Sequence, residues 1–150
     1  MSHRRVAVTG IGVRSPIGST PEEVWDNAVN GRSGIGRIAC FDPSDFTSQI
    51  AGEVKDFDPA ALFGAADARK CDRFAQFARA AALDAWRNSG LESFGPVPER
   101  VGVIVGSGVG GIGTFQEQMK TAMERGPRRI SPFFVPMMIS NMACGHVAID

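Results

Sequence analysis

A chain of 150 residues with 43% hydrophobic and 21% charged side chains suits one packed domain and is too short for two. Sixteen basic residues balance sixteen acidic ones, so the formal net charge is zero and no general electrostatic case exists for nucleic acid or a membrane surface. The widely spaced Cys40, Cys71 and Cys144, with only His3 and His146 beside them, form no CxxC pair and argue against a zinc site; no cofactor is implied.

The N-terminus shows no apolar stretch followed by a cleavage site, and no apolar run reaches bilayer length, so a cytoplasmic protein with reduced thiols is expected. Residues 6–9 (Val-Ala-Val-Thr) read as a short buried strand ended by Gly10 and Gly12. Thr20, Pro21 and Glu23 then spell a capping box with proline at the first helical position, predicting a helix to about Asn30 with Gly31 as its stop. A loop rich in Gly, Ser and Asp follows, and residues 50–54 are a second strand candidate.

Asp58 and Pro59 open a short helix, and a longer one is expected from about 72 to 88, ended by Gly90. Ala75, Ala78, Ala81, Ala82 and Ala85 leave this long helix a broad face without bulk, suited to close packing, with Phe74, Phe77 and Trp86 filling larger gaps. Residues 101–105 are nearly all apolar, the pattern of a strand in a sheet covered on both faces. A Gly-rich turn comes next, then a helix opened by Thr114 and Glu117 as a second capping box, and a last helix near Pro136. Strands alternating with helices indicate an α/β layered fold.

Three features bear on chemistry. Gly106-Ser107-Gly108-Val109-Gly110-Gly111 matches a dinucleotide-binding pattern, but the second strand and its acidic residue are replaced by Gly126-Pro127-Arg128-Arg129, which leaves a crowded strand-to-helix turn as the better reading. Cys144 and His146 suggest a nucleophile and base, yet on one helix they diverge by roughly 200°, so an inert buried thiol is expected. Arg69 and Lys70, with Arg73 one turn on, read as a basic cluster opening the long helix. Positive charge there opposes the helix dipole, modest evidence for an anionic partner. In addition, Pro132 and Pro136 stiffen the backbone around Phe133 and Phe134, as a shaped apolar pocket requires.

Taken together, several marks along the chain resemble the elongating β-ketoacyl-acyl carrier protein synthases. They are Val8-Thr9-Gly10-Ile11-Gly12 with Ser15-Pro16-Ile17-Gly18, Phe41-Asp42-Pro43, Val54-Lys55-Asp56-Phe57, the glycine turn at 106–111, and the segment from Ile130 to Pro136 with Asn141-Met142 and Gly145-His146. The resemblance implies a thiolase-like α-β-α-β-α sandwich, of which residues 1–150 cover part of the first half, within the N-terminal domain of a homodimeric acyltransferase. It implies decarboxylative condensation of an acyl-enzyme thioester with malonyl-acyl carrier protein in fatty-acid biosynthesis.

By the same resemblance Val109 gates the acyl pocket, Phe134 lines it near the dimer interface, and Arg69 and Lys70 dock the acidic carrier protein. Ala66 stands where relatives often carry another lysine, and Cys144 where they keep a small apolar residue. The nucleophilic cysteine and two catalytic histidines are expected beyond Asp150, so no catalytic residue is assigned within 1–150. The alternatives are a non-catalytic chain-length-factor-like subunit or a polyketide ketosynthase, and, further off, a dinucleotide-binding domain.

Overall fold

The computed structural model describes residues 4–150; His3 lies outside them. The architecture is organised around α4 (Arg73–Ser89), whose start and end are both set by local chemistry. Asp72 accepts the Phe74 N–H through its side chain, and Gly90 ends the helix in the left-handed conformation that glycine adopts without cost. Before it come α1 (Pro21–Val29), the hairpin strands β1 (Ile35–Arg37) and β2 (Ile50–Gly52), and the short helices α2 (Pro59–Phe63) and α3 (Ala65–Ala68). After it come α5 (Ile112–Arg125), α6 (Phe134–Met138) and α7 (Met142–Ile149), with single 3₁₀ turns between.

The first capping box forms as the sequence predicts. Thr20 Oγ1 accepts the Glu23 N–H at 3.2 Å, while the Glu23 carboxylate accepts the Ser19 N–H at 2.8 Å, one residue further out than the simplest version. Asp58 caps α2 by accepting from Ala60 and Ala61. The alanine face of α4 also behaves as expected. A Cβ on Gly10 would overlap the Ala85 carbonyl, and one on Gly12 the Ala81 carbonyl, so the loop backbone lies directly on the helix. Arg14 anchors the same loop through a 2.6 Å ion pair to Asp84.

On its other side α4 packs against α7, with Ala75, Ala80 and Ala143 buried between them. Arg79, itself buried, reaches across to Asp150 with two 2.6 Å hydrogen bonds, and its guanidinium lies 4.2 Å from the centre of the Phe63 ring. Gln76, also buried, donates to the carbonyls of Ala68 and Cys71 at 2.8 and 2.9 Å, which fixes the turn between α3 and α4.

Several expectations are corrected. Residues 6–9 and 101–105 do not form strands: among the described residues the only sheet is the antiparallel pair β1–β2, with Ile35 opposite Gly52. Much of both apolar runs is exposed, Val6 at 93% and Ile104 at 98%, while Val103 and Val105 are half-buried. A helix closes its hydrogen bonds within itself, whereas an apolar strand needs neighbours on each side, and residues 4–150 bring no strand to either run; Val105 alone finds a partner, in the Cys144 sulfur. β1 was not foreseen, because its three residues sit in a loop-like Gly- and Ser-rich stretch. Thr114 caps nothing: α5 begins two residues earlier with Gly111 at its cap and no side-chain cap bond. The last helix divides, since Ile139 turns extended between α6 and α7.

Candidate functional site

The glycine turn at residues 106–111 rests on the end of α6. Gly110 N–H donates to Ser107 Oγ at 3.0 Å, and Gly111 N–H to the Met138 carbonyl at 2.9 Å. A Cβ on Gly110 would overlap the Met138 carbonyl, one on Gly111 the Met137 carbonyl, and Gly110 has φ +78, so two glycines are needed in succession. The reading of a crowded strand-to-helix turn is met only at Gly110 and Gly111: no strand leads into the turn, and a Cβ on Gly106 or Gly108 would meet nothing. Val109 directly precedes this pair and projects outward, 67% exposed.

At the other end of α6, the Pro-bounded segment presents its two rings to different neighbours. Phe134 is half-buried, 6.1 Å from Phe115 of α5 between ring centres. Phe133 turns outward beneath Lys70, whose ammonium lies 5.9 Å from the ring centre. Ser131 N–H donates to the Gln118 side chain at 2.7 Å, tying the segment back to α5. α6 is therefore the common ground of Val109, Phe134 and Lys70, which come from separate stretches of chain.

The basic cluster is not where the sequence put it. Arg69 and Lys70 precede α4 and lie at the C-terminal end of α3, so they do not oppose the dipole of the long helix. Both are exposed, and Lys70 also pairs with Asp67 at 3.2 Å. Arg73 does open α4, but its guanidinium sits over the rings of Phe57 and Phe77, 5.3 and 4.8 Å from their centres, and it donates to the Val54 carbonyl. Arg73 is a packing residue, and the dipole argument for an anionic partner falls away.

Cys144 and His146 diverge as expected. The Cys144 sulfur accepts the Val105 N–H at 3.0 Å and is 3.4 Å from the Val105 carbonyl, whereas His146 faces the opposite way. Its Nε2 meets the sulfur of Cys71 at 3.4 Å, beside the Arg79 guanidinium at 3.6 Å from the same sulfur. Burial pushes the Cys71 thiol above its usual range, against the pull of Arg79. Burial and then Arg79 hold the His146 imidazole below its own. The pair is a neutral thiol against a neutral imidazole, the wrong state for a nucleophile. Sequence reasoning missed this contact, which joins residues 75 positions apart and leaves no spacing signal. It also missed the double use of Asp72, whose second oxygen accepts the Thr114 hydroxyl. Among the described residues no group of three His, Cys, Asp or Glu could hold a metal ion, and no helix is long and apolar enough to cross a membrane.

Residues 3–150 match the family described as "Beta-ketoacyl synthase, N-terminal domain". The 3-oxoacyl-[acyl-carrier-protein] synthase 2 of Coxiella burnetii is 46% identical over 99% of the chain, and that of Staphylococcus aureus strain N315 is 43% identical over 99%. The chain spans 36% of the length of each. Among solved structures, the ishigamide ketosynthase/chain length factor superposes with TM-score 0.80 at 27% identity, over 99% of this chain and 37% of that one. A β-ketoacyl synthase from Burkholderia phymatum STM815 gives 0.79 at 20% identity, over 98% of this chain and 36% of that one. These likenesses assign the thiolase-like α/β fold, of which the chain covers a part.

Proposed function

The chain belongs to the β-ketoacyl synthase family, and on that premise we propose that the protein is a 3-oxoacyl-[acyl-carrier-protein] synthase of fatty-acid biosynthesis. It transfers an acyl group from an enzyme thioester onto malonyl-acyl carrier protein with loss of CO₂, as a cytoplasmic homodimer that needs no cofactor. Residues 1–150 supply the acyl-pocket and carrier-docking elements, and the nucleophile with its two histidines comes from outside them. Such a division suits the chemistry. Preorganised donors and the nucleophile do the bond-making, while selection of chain length and partner is a matter of shape and charge.

The observation that carries this reading is the convergence on α6. Val109 stands on the turn docked at one end of that helix, Phe134 opens the other end against Phe115, and Lys70 covers Phe133 beside it. In this reading the pocket wall and the docking surface meet at one short helix. Arg69 lies next to Lys70 and, among the described residues, has no carboxylate within ion-pair distance. Arg128 and Arg129 are likewise exposed, on the 3₁₀ turn that leads into the aromatic segment.

The test is charge reversal in the complete enzyme, Arg69→Glu with Lys70→Glu. The expected outcome is a rise of about tenfold in KM for carrier-bound substrate, with a shallower salt dependence, since exposed charges act by steering over a screening length of about 10 Å in 0.1 M salt. Turnover of small thioester mimics is retained. Equal losses on both substrate types make the two residues structural and remove the docking assignment.

A further inference from the structure

One carboxylate joins the docking arm to the glycine turn. Asp72 follows Arg69, Lys70 and Cys71 directly and accepts the Phe74 N–H through Oδ1 at 3.3 Å, as a helix cap does. Its Oδ2 accepts the hydroxyl of Thr114 at 2.5 Å, from a residue 42 positions along the chain. Thr114 is buried, so this hydroxyl has no water to turn to. A Cβ on Gly111 would stand 2.8 Å from Oδ2, which places the carboxylate against the last residue of the turn. Gly111 is also the cap position of α5 and has no side chain to offer there. The amino ends of α4 and α5 therefore share a single acceptor, and the positive ends of both helix dipoles converge on its charge.

Val109 is two residues from Gly111 and largely exposed, so packing of its own side chain does not decide where it stands. Its position is inherited from the turn, which is hydrogen-bonded to the Met138 carbonyl and to Ser107 and lies against the Asp72 carboxylate at Gly111. We propose that Asp72 is a positioning residue for acyl-chain selection: through Thr114 and Gly111 it sets the height of the turn over α6, and with it the place of Val109. This inference rests on the reading of Val109 as the pocket gate. Asp72 touches no substrate in this scheme; it determines how sharply the gate is defined.

The experiment compares acylation rates for short and long acyl donors in the complete enzyme. The variants are Thr114→Val, Thr114→Ser, Asp72→Ala, Asp72→Asn and Val109→Phe, each with a melting curve. Thr114→Val deletes the hydroxyl with little change of shape, and it is expected to shift the long-to-short rate ratio by about 3- to 10-fold, less than the roughly 10- to 150-fold that a whole hydrogen bond to a charged group is worth, because only part of the loss reaches Val109. Asp72→Ala shifts the ratio the same way. Thr114→Ser and Asp72→Asn, which can rebuild the bond, return it to within about twofold of wild type. Where Asp72→Ala fails to fold, Thr114→Val and its serine rescue carry the test. If Val109→Phe shifts the ratio while Thr114→Val and Asp72→Ala do not, the positioning role is overturned and the gate stands. An equal loss at every chain length with a lowered melting point also overturns it, as a purely structural effect. Should Val109→Phe leave the ratio unchanged, the gate reading fails and this inference falls with it.

Discussion

Along α4 and α7 the chain closes on itself: Ala75, Ala80 and Ala143 are buried between the helices, and Arg79, Gln76, Cys71, His146 and Asp150 satisfy one another around them. The extended segments 6–9 and 101–105 are as apolar as any stretch of α4, yet Val6, Val8 and Ile104 face outward. Apolar content is thus no guide to which parts of the chain are self-sufficient. Helices of 17 and 8 residues meet their backbone needs internally and require a neighbour only for side chains. An extended run requires a neighbour for its backbone as well, and leaves both requirements unmet without one.

The sharpest way to break this contrast is at the charged link between the two helices. Asp150→Ala leaves the Arg79 guanidinium buried without its carboxylate, against the Phe63 ring and the Cys71 sulfur. Removing one partner of a fully buried pair costs about 3–5 kcal/mol; here Asp150 is partly exposed, so a loss of about 1–3 kcal/mol is expected by denaturant titration. A double change to Arg79→Leu with Asp150→Ala should recover much of it, because an apolar side chain beside Phe63 carries no desolvation cost. A single change no worse than the double one would mean that the pair does not hold α7 to α4.

Much of the self-sufficient side was legible in the sequence, because its signals are local. Thr20, Glu23 and Pro21 declare one helix start, Asp58 and Pro59 another, and Gly90 an end, and each rests on a hydrogen bond or a dihedral spanning a few residues. The alanine face of α4 likewise foretold close packing, though not that the loop at Gly10 and Gly12 would supply it. Thr114 misled for an instructive reason: a threonine three residues before a glutamate is equally a capping box or a hydroxyl needed elsewhere, and Asp72 decides the matter from 42 positions away. The basic cluster failed for another reason: the start of α4 lies within one residue of the expected place, but the unforeseen α3 ends at Ala68 and puts Arg69 and Lys70 at its C-terminal end. Within the candidate site Arg69, Lys70 and Phe134 stood out by residue type, but their roles, and Val109 itself, were nameable only through resemblance. Their convergence on α6, and the meeting of Cys71 with His146, are tertiary facts that no spacing encodes.

A smaller effect sharpens the contrast from within the closed side. Burial and then the charge of Arg79 hold the His146 imidazole, packed against Cys71, below its ordinary range, with Asp150 and Asp67 as the nearby acids that partly offset them. In the unfolded chain the ring takes a proton near pH 6.5. Below that pH the unfolded state binds more protons than the native one, so stability is present above about pH 6.5 and is lost as pH falls towards the lower folded value. Melting curves between pH 7.5 and 5.5 should therefore fall more steeply for wild type than for His146→Gln, which cannot titrate. Parallel curves would show that the contact with Cys71 does not matter to folding.

The smallest expected effect belongs to the open side, and its smallness is the point. Ile104 is 98% exposed, so truncating it to alanine in the 150-residue chain removes no buried surface and opens no cavity. The change in stability should stay within about 0.5 kcal/mol, the range of surface substitutions away from special features. A lysine at the same position should be equally neutral for stability while slowing self-association, because an apolar extended segment with unpaired backbone groups is a template for pairing with another copy, and charge on its face opposes that. Light scattering against concentration, beside the denaturant titration, separates the two quantities. The same Ile104→Ala change in the complete enzyme is the informative control. If the remaining length of the protein covers residues 101–105 as a sheet covers an inner strand, the cost there should rise to about 2–5 kcal/mol, the ordinary penalty for deleting a large buried aliphatic group. The difference between the two measurements is the burial that residues 4–150 do not provide for themselves. A cost near zero in both settings would mean that the apolar run never acquires neighbours, and that its composition has some purpose other than a covered strand.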